Sequence, residues 1–122
     1  MSNDNAQYIE ELEAQKAGHQ KAVEVGQRLE RLCKDQDFRA LVLQYWMVDE
    51  AARYASLSQD PALSMDPVQK EQIQRDCINM AAAPGHFKRW VEVQRQMAQT
   101  AANSIAEVDA ELDRVRSEED GE

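Results

Sequence analysis

Apolar and small residues recur along the first third of the chain at Tyr8, Leu12, Ala22, Gly26, Leu29 and Cys33, in steps of three, four and their sums. That spacing is the seam of a long amphipathic helix, with Gln15 and His19 as its polar members. It predicts a first helix over 5–34, free of proline. Asp35-Gln36-Asp37 then breaks the period and offers N-cap carboxylates for a second helix over 37–57. Its expected apolar face is Phe38, Leu41, Val42, Tyr45, Val48, Ala52 and Ala55.

The stretch SLSQDPALSMDP, residues 56–67, reads as a loop because it gathers Ser, Asp and two Asp-Pro steps. It ends in a helix start: Asp66 as N-cap, Pro67 at the first helical position and Gln69 two residues on. A third helix over 66–83 carries Val68, Ile73, Cys77, Ile78 and Met80, and Pro84-Gly85 is expected to end or kink it. A last helix, 85–117, alternates steps of four and three through Phe87, Val91, Gln94, Ala98, Ala101, Ile105, Val108, Leu112 and Val115. The remainder, 118–122, is expected to be a disordered acidic tail.

The two long seams match one another. If the outer helices run antiparallel, paired residue numbers sum to 123 or 124: Leu12 with Leu112, Ala22 with Ala101, Gly26 with Ala98, Cys33 with Val91. Small residues then meet small residues, which allows close approach of the backbones. The expected fold is all-α, one domain over 1–122: a coiled-coil-like antiparallel hairpin of the N- and C-terminal helices, about 40 Å long at ~1.5 Å rise per residue, capped by a head of the two shorter helices.

Composition supports helix and adds one feature, the placement of charge. The chain has 4 Gly and 3 Pro in 122 residues, so few positions oppose a helical backbone. Its net charge is −9, which disfavours binding to phosphate backbones. Residues 1–13 hold four acids and no base, and residues 107–122 hold eight acids against Arg114 and Arg116. The rest is close to neutral, so a hairpin would gather about −10 where its two ends meet.

Candidate chemistry is sparse. His19, His86, Cys33 and Cys77 lack the close spacing of zinc ligands; no metal, cofactor or catalytic residue is expected. The two cysteines, with no signal segment ahead of them, suggest a reducing compartment, and no apolar run has the length of a membrane span. Asp49-Glu50-Ala51-Ala52-Arg53 reads first as a solvated helix face with an Asp49–Arg53 pair. Acid–base catalysis would need a second converging group. Lys88 and Arg89 between Phe87 and Trp90 have the interleaving used on nucleic acid, but two bases in an acidic chain make a small footprint. Trp46, 100° round the helix from Tyr45, is expected to face outward. Trp46, Glu50, Arg53 and Trp90 are the candidate partner-contact residues.

The segment DQDFRALVLQYWMVDEAARYASLSQDP, followed by the last heptad helix, resembles small acidic helical proteins encoded among the virion-assembly genes of tailed bacteriophages. The likeness lies in Asp37-Phe38, the aromatic pair before the acids, Glu50-Ala51-Ala52-Arg53 and Asp60-Pro61. It implies a non-enzymatic role in or around the phage particle, in the host cytoplasm, the virion or both. Protein partners among capsid, portal or tail components are expected, with no nucleic acid and no membrane. A homo-oligomer is expected separately, because the outer apolar residues of the two-helix stalk, Val25, Leu32 and Trp90 among them, need cover. The competing expectation is a phage-encoded acidic inhibitor of a host nucleic-acid enzyme or defence protein, its carboxylates imitating phosphates.

Overall fold

The computed structural model describes residues 2–62 and 66–120. They form three helices: α1, Ser2–Lys34; α2, residues 36–58; and α3, Pro67–Asp120. No strand occurs among the described residues. Helix α2 has three sections, Gln36–Phe38, a π-helical stretch Arg39–Glu50, and Ala51–Ser58. The chain expected as one domain gathers into two compact units, Met1–Leu29 with Val93–Glu122, and Glu30–Glu92.

Asp35 alone separates α1 from α2. Its extended backbone (φ −64°, ψ 131°) stops α1, and its carboxylate accepts from the Phe38 N–H at 2.9 Å to start α2. Asp66 does the same for α3, accepting from Val68 N–H at 3.0 Å ahead of Pro67.

Two expected boundaries are overturned. Pro84 was to separate helices 66–83 and 85–117, yet α3 runs through it as one helix of 54 residues. A proline inside a helix loses one backbone hydrogen bond and crowds the preceding turn, at about 3 kcal/mol. Here its ring is buried, and burial of that apolar surface acts against the cost of the lost bond. The expected disordered tail is helical through Asp120, where Glu118 is tied to Arg114 at 2.7 Å. Residues 63–65 of the expected loop, and 121–122 of the tail, lie outside the described residues; the loop itself starts later than expected, since α2 runs to Ser58.

In the first unit, the outer helices pair antiparallel as their seams predict. Leu12, Val108 and Leu112 form a buried cluster, with Leu29, Ala101 and Val115 buried further along. At Gly26 a Cβ would collide with the Ala98 methyl, so the helices touch there through the absence of a side chain. The seam is off by one residue at two places. Ile9, rather than Tyr8, packs on the cluster, and Tyr8 sits at the rim with its hydroxyl donating to Glu111 at 2.9 Å. Gln15 is exposed, while Lys16 is half-buried and paired with Asp109 at 2.6 Å. A straight α-helix drifts by about 20° per heptad from a 3.5-residue repeat, enough over two heptads to exchange neighbours.

In the second unit Cys77, Pro84 and Val91 of α3 are buried, and α2 meets α3 through its half-buried side, where Phe38 and Trp46 touch Phe87. That side differs from the expected one. Leu41, Tyr45 and Val48 are each more than half exposed, and Ala52 and Ala55 are exposed too. Along 38–51 the half-buried residues are Phe38, Val42, Leu43, Trp46, Met47, Glu50 and Ala51, recurring every four positions in two adjacent rows. The cause is the i→i+5 ladder of 39–50: a wider turn carries more residues, so the inward stripe follows a longer period than the α-helical one.

Candidate functional site

The π-helical section sets the aromatic geometry of the second unit. It turns Trp46 inward, correcting the expectation that this ring faces outward, and leaves Tyr45 exposed. Phe87 of α3 is the hub. Its ring centroid lies 6.3 Å from Phe38, 6.1 Å from Trp46 and 6.1 Å from Trp90. The Trp46 contact is edge-on at 64°, and all three separations are those at which aromatic rings attract. Trp90 closes the cluster but keeps 48 % of its surface exposed. The four rings therefore form one contiguous cluster with one half-open edge.

Glu50 and Arg53 lie further along α2. Arg53 donates from Nε at 3.1 Å and from Nη2 at 2.8 Å to the two carboxylate oxygens of Glu50, a fork geometry that fixes both side chains. Its guanidinium also lies 4.5 Å from the centre of the Tyr54 ring. The expected Asp49–Arg53 pair is not made; Asp49 accepts instead from the Gln44 side-chain amide at 3.1 Å, five residues back in the π-helical section. The Arg53 hydrogen bonds hold the Glu50 carboxyl below its ordinary range. Such a carboxylate stays ionised and engaged, which suits anchoring rather than proton transfer.

Of the four candidate contact residues, Trp46 and Trp90 thus meet the same ring, Phe87, and Glu50 and Arg53 meet each other. The run PGHFKRW sets Phe87 and Trp90 three apart on one helix face, and both are expected to be buried against the head. Phe87 does meet Phe38 and Trp46 of α2, whereas Trp90 stays 48 % exposed.

A second polar constellation lies in the first unit, and no local spacing in the sequence announces it. Glu111, on α3 of the first unit, accepts from the Tyr8 hydroxyl and from Arg114, which also reaches Glu118. Arg116 donates to Glu13 at 2.7 Å across the two helices. The Arg114 and Tyr8 hydrogen bonds lower the Glu111 carboxyl to about 2, and the same bond raises the Tyr8 phenol. Four acids at this end, Glu13, Asp109, Glu111 and Glu118, are thereby paired with three cations, Lys16, Arg114 and Arg116.

Among the described residues, no three His, Cys, Asp or Glu side chains converge, and no helix is long and apolar enough to cross a membrane. The chain matches none of the family models, curated proteins or solved structures compared with it.

Proposed function

We propose that the protein is a non-enzymatic structural or virion-assembly accessory of a tailed bacteriophage, acting through helix-borne contacts with capsid, portal or tail proteins. The observation that carries this reading is the apolar surface of the second unit. Leu41, Tyr45, Val48, Val68, Ile78, Met80 and Trp90 are exposed in that unit, and Trp90 is at the same time an edge of the aromatic cluster. Large apolar and aromatic side chains on firm helices are what a protein partner buries. The ion-paired Glu50–Arg53 fork supplies a polar rim beside Tyr54.

The test is recovery of the tagged chain from infected cells. Co-purification with particles or procapsids, lost in Trp90→Glu, supports the reading. Recovery with a host nuclease or polymerase instead, insensitive to Trp90→Glu, would replace it with the acidic-inhibitor reading. The knitting of Glu13, Asp109, Glu111 and Glu118 to cations favours the first, because a phosphate mimic needs its carboxylates free.

A further inference from the structure

Helix α2 carries two apolar faces and turns one of them toward α3. With the wider turn of 39–50, Val42, Leu43, Trp46 and Met47 are half-buried, and Trp46 reaches Phe87. At α-helical spacing the inward stripe would be Leu41, Tyr45, Val48, Ala52 and Ala55, in steps of four and three. Its three large members are each more than half exposed instead. Phe38 begins both stripes, and its ring stands 6.3 Å from Phe87. A π-turn ordinarily occurs singly inside an α-helix, and often at a functional site. Here it extends over the 12 residues Arg39–Glu50, which include no Gly or Pro to break an α-helix.

Side chains five apart hold the wider turn. Gln44 donates to Asp49 at 3.1 Å. On an α-helix two such positions are turned about 140° from each other and do not meet, so this bond is specific to the wider turn. The Glu50 carboxyl, lowered chiefly by its hydrogen bonds from Arg53, is lowered further by one from Tyr45, again five residues before it. In an α-helical register Asp49 would leave Gln44 and stand one turn before Arg53, the i,i+4 spacing of an ion pair. Asp49 therefore has a different partner in each register.

From these we infer that α2 is a register switch with Phe38 as its pivot and Asp49 as its toggle. The wide register shows Leu41, Tyr45 and Val48 on the surface; the α-helical register takes them inward and turns Trp46 and Met47 out. A partner that buries the first set binds the wide register alone and draws the population to it. That use of the switch rests on the partner-binding reading above. The exchange itself is measured on the free chain, so the failure of either is distinguishable from the failure of the other.

The experiment is backbone-amide relaxation dispersion on the full chain, with quenching of Trp46 followed in Trp90→Phe, which leaves one tryptophan of the 2. Microsecond-to-millisecond exchange is expected across 39–50 and at Phe87. Gln44→Ala removes the bond specific to the wide turn and leaves Arg53 in place. It should raise the minor population by about threefold and make Trp46 easier to quench with acrylamide. Asp49→Asn keeps an acceptor for Gln44 and removes the charge that Arg53 would pair, so it should lower that population. Both positions are exposed, and helix content by circular dichroism should match the parent in each variant. A chain with no exchange in 39–50, in the parent and in Gln44→Ala alike, overturns the switch. So does a Gln44→Ala chain whose exchange and Trp46 quenching both equal the parent's. Exchange that Asp49→Asn and Gln44→Ala raise equally overturns Asp49 as the toggle.

Discussion

Three glycines in helices have the same intrinsic cost and different surroundings. Replacing a helical glycine by alanine gains about 0.5–1 kcal/mol of backbone entropy and propensity. At Gly85 nothing lies within 4 Å of the new methyl, so Gly85→Ala should raise the unfolding free energy by about that amount and the denaturation midpoint with it. At Gly26 the methyl would meet Ala98, and overpacking of about 1–3 kcal/mol should outweigh the gain. Gly26→Ala should therefore melt lower, and Ala98→Gly added to it should restore part of the loss. The residue scale also sets a pH response. The Glu111 carboxyl is lowered to about 2 in the fold, so it contributes stability that is present above its ordinary range near 4.5 and lost as pH falls toward about 2. The Tyr8 phenol is raised: its contribution is present below pH 10 and lost as pH climbs through the raised value. A melting-temperature profile should fall less steeply at the acid edge in Glu111→Gln, and at the alkaline edge in Tyr8→Phe.

At the scale of the element, helix α2 separates what pattern can and cannot reveal. The caps were legible, because Asp35 and Asp66 satisfy helix ends by local chemistry written in adjacent residues. The long seams were legible at mid-length, where Gly26 and Ala98 leave no alternative register. The inward face of α2 was not. Leu41, Tyr45 and Val48 fit an α-helical stripe by spacing alone, and nothing local announces that 39–50 adopts the wider turn that brings in Trp46 and Met47. Continuity through Pro84 was hidden for the same reason: burial of its ring is a tertiary matter. The two registers of α2 make opposite forecasts. With Trp46 packed on Phe87, Trp46→Ala should cost about 2–3 kcal/mol in denaturant unfolding, whereas exposed Tyr45→Ala should stay within about 0.5 kcal/mol. The reverse order would restore the α-helical stripe.

At the scale of the whole molecule, the charge count and the observed pairing act against each other. The sequence places four acids in 1–13 and eight in 107–122, and the antiparallel helices bring these segments together, as Tyr8 on Glu111 and Arg116 on Glu13 require. Deleting residues 117–122 removes Glu118, Glu119, Asp120 and Glu122, with no seam residue beyond Val115. It relieves repulsion among the remaining acids, and it also breaks the exposed Arg114–Glu118 pair. An exposed pair contributes about 0.2–1 kcal/mol at most, comparable to the relief, so the truncated chain should melt close to the parent or slightly above it at low salt. The slope with salt is the sharper readout. Screening removes a repulsion that the parent has in excess, so its midpoint should climb more steeply with ionic strength, and the two curves should converge near physiological salt, where the screening length is about 8 Å. A truncated chain that melts well below the parent at every ionic strength would mean that the last turns of α3 stabilise the hairpin by more than one exposed ion pair. Partner capture completes the test, since the proposed contacts lie in the second unit: particle recovery should survive this truncation, and its loss with folding intact would transfer the binding surface to the acidic end.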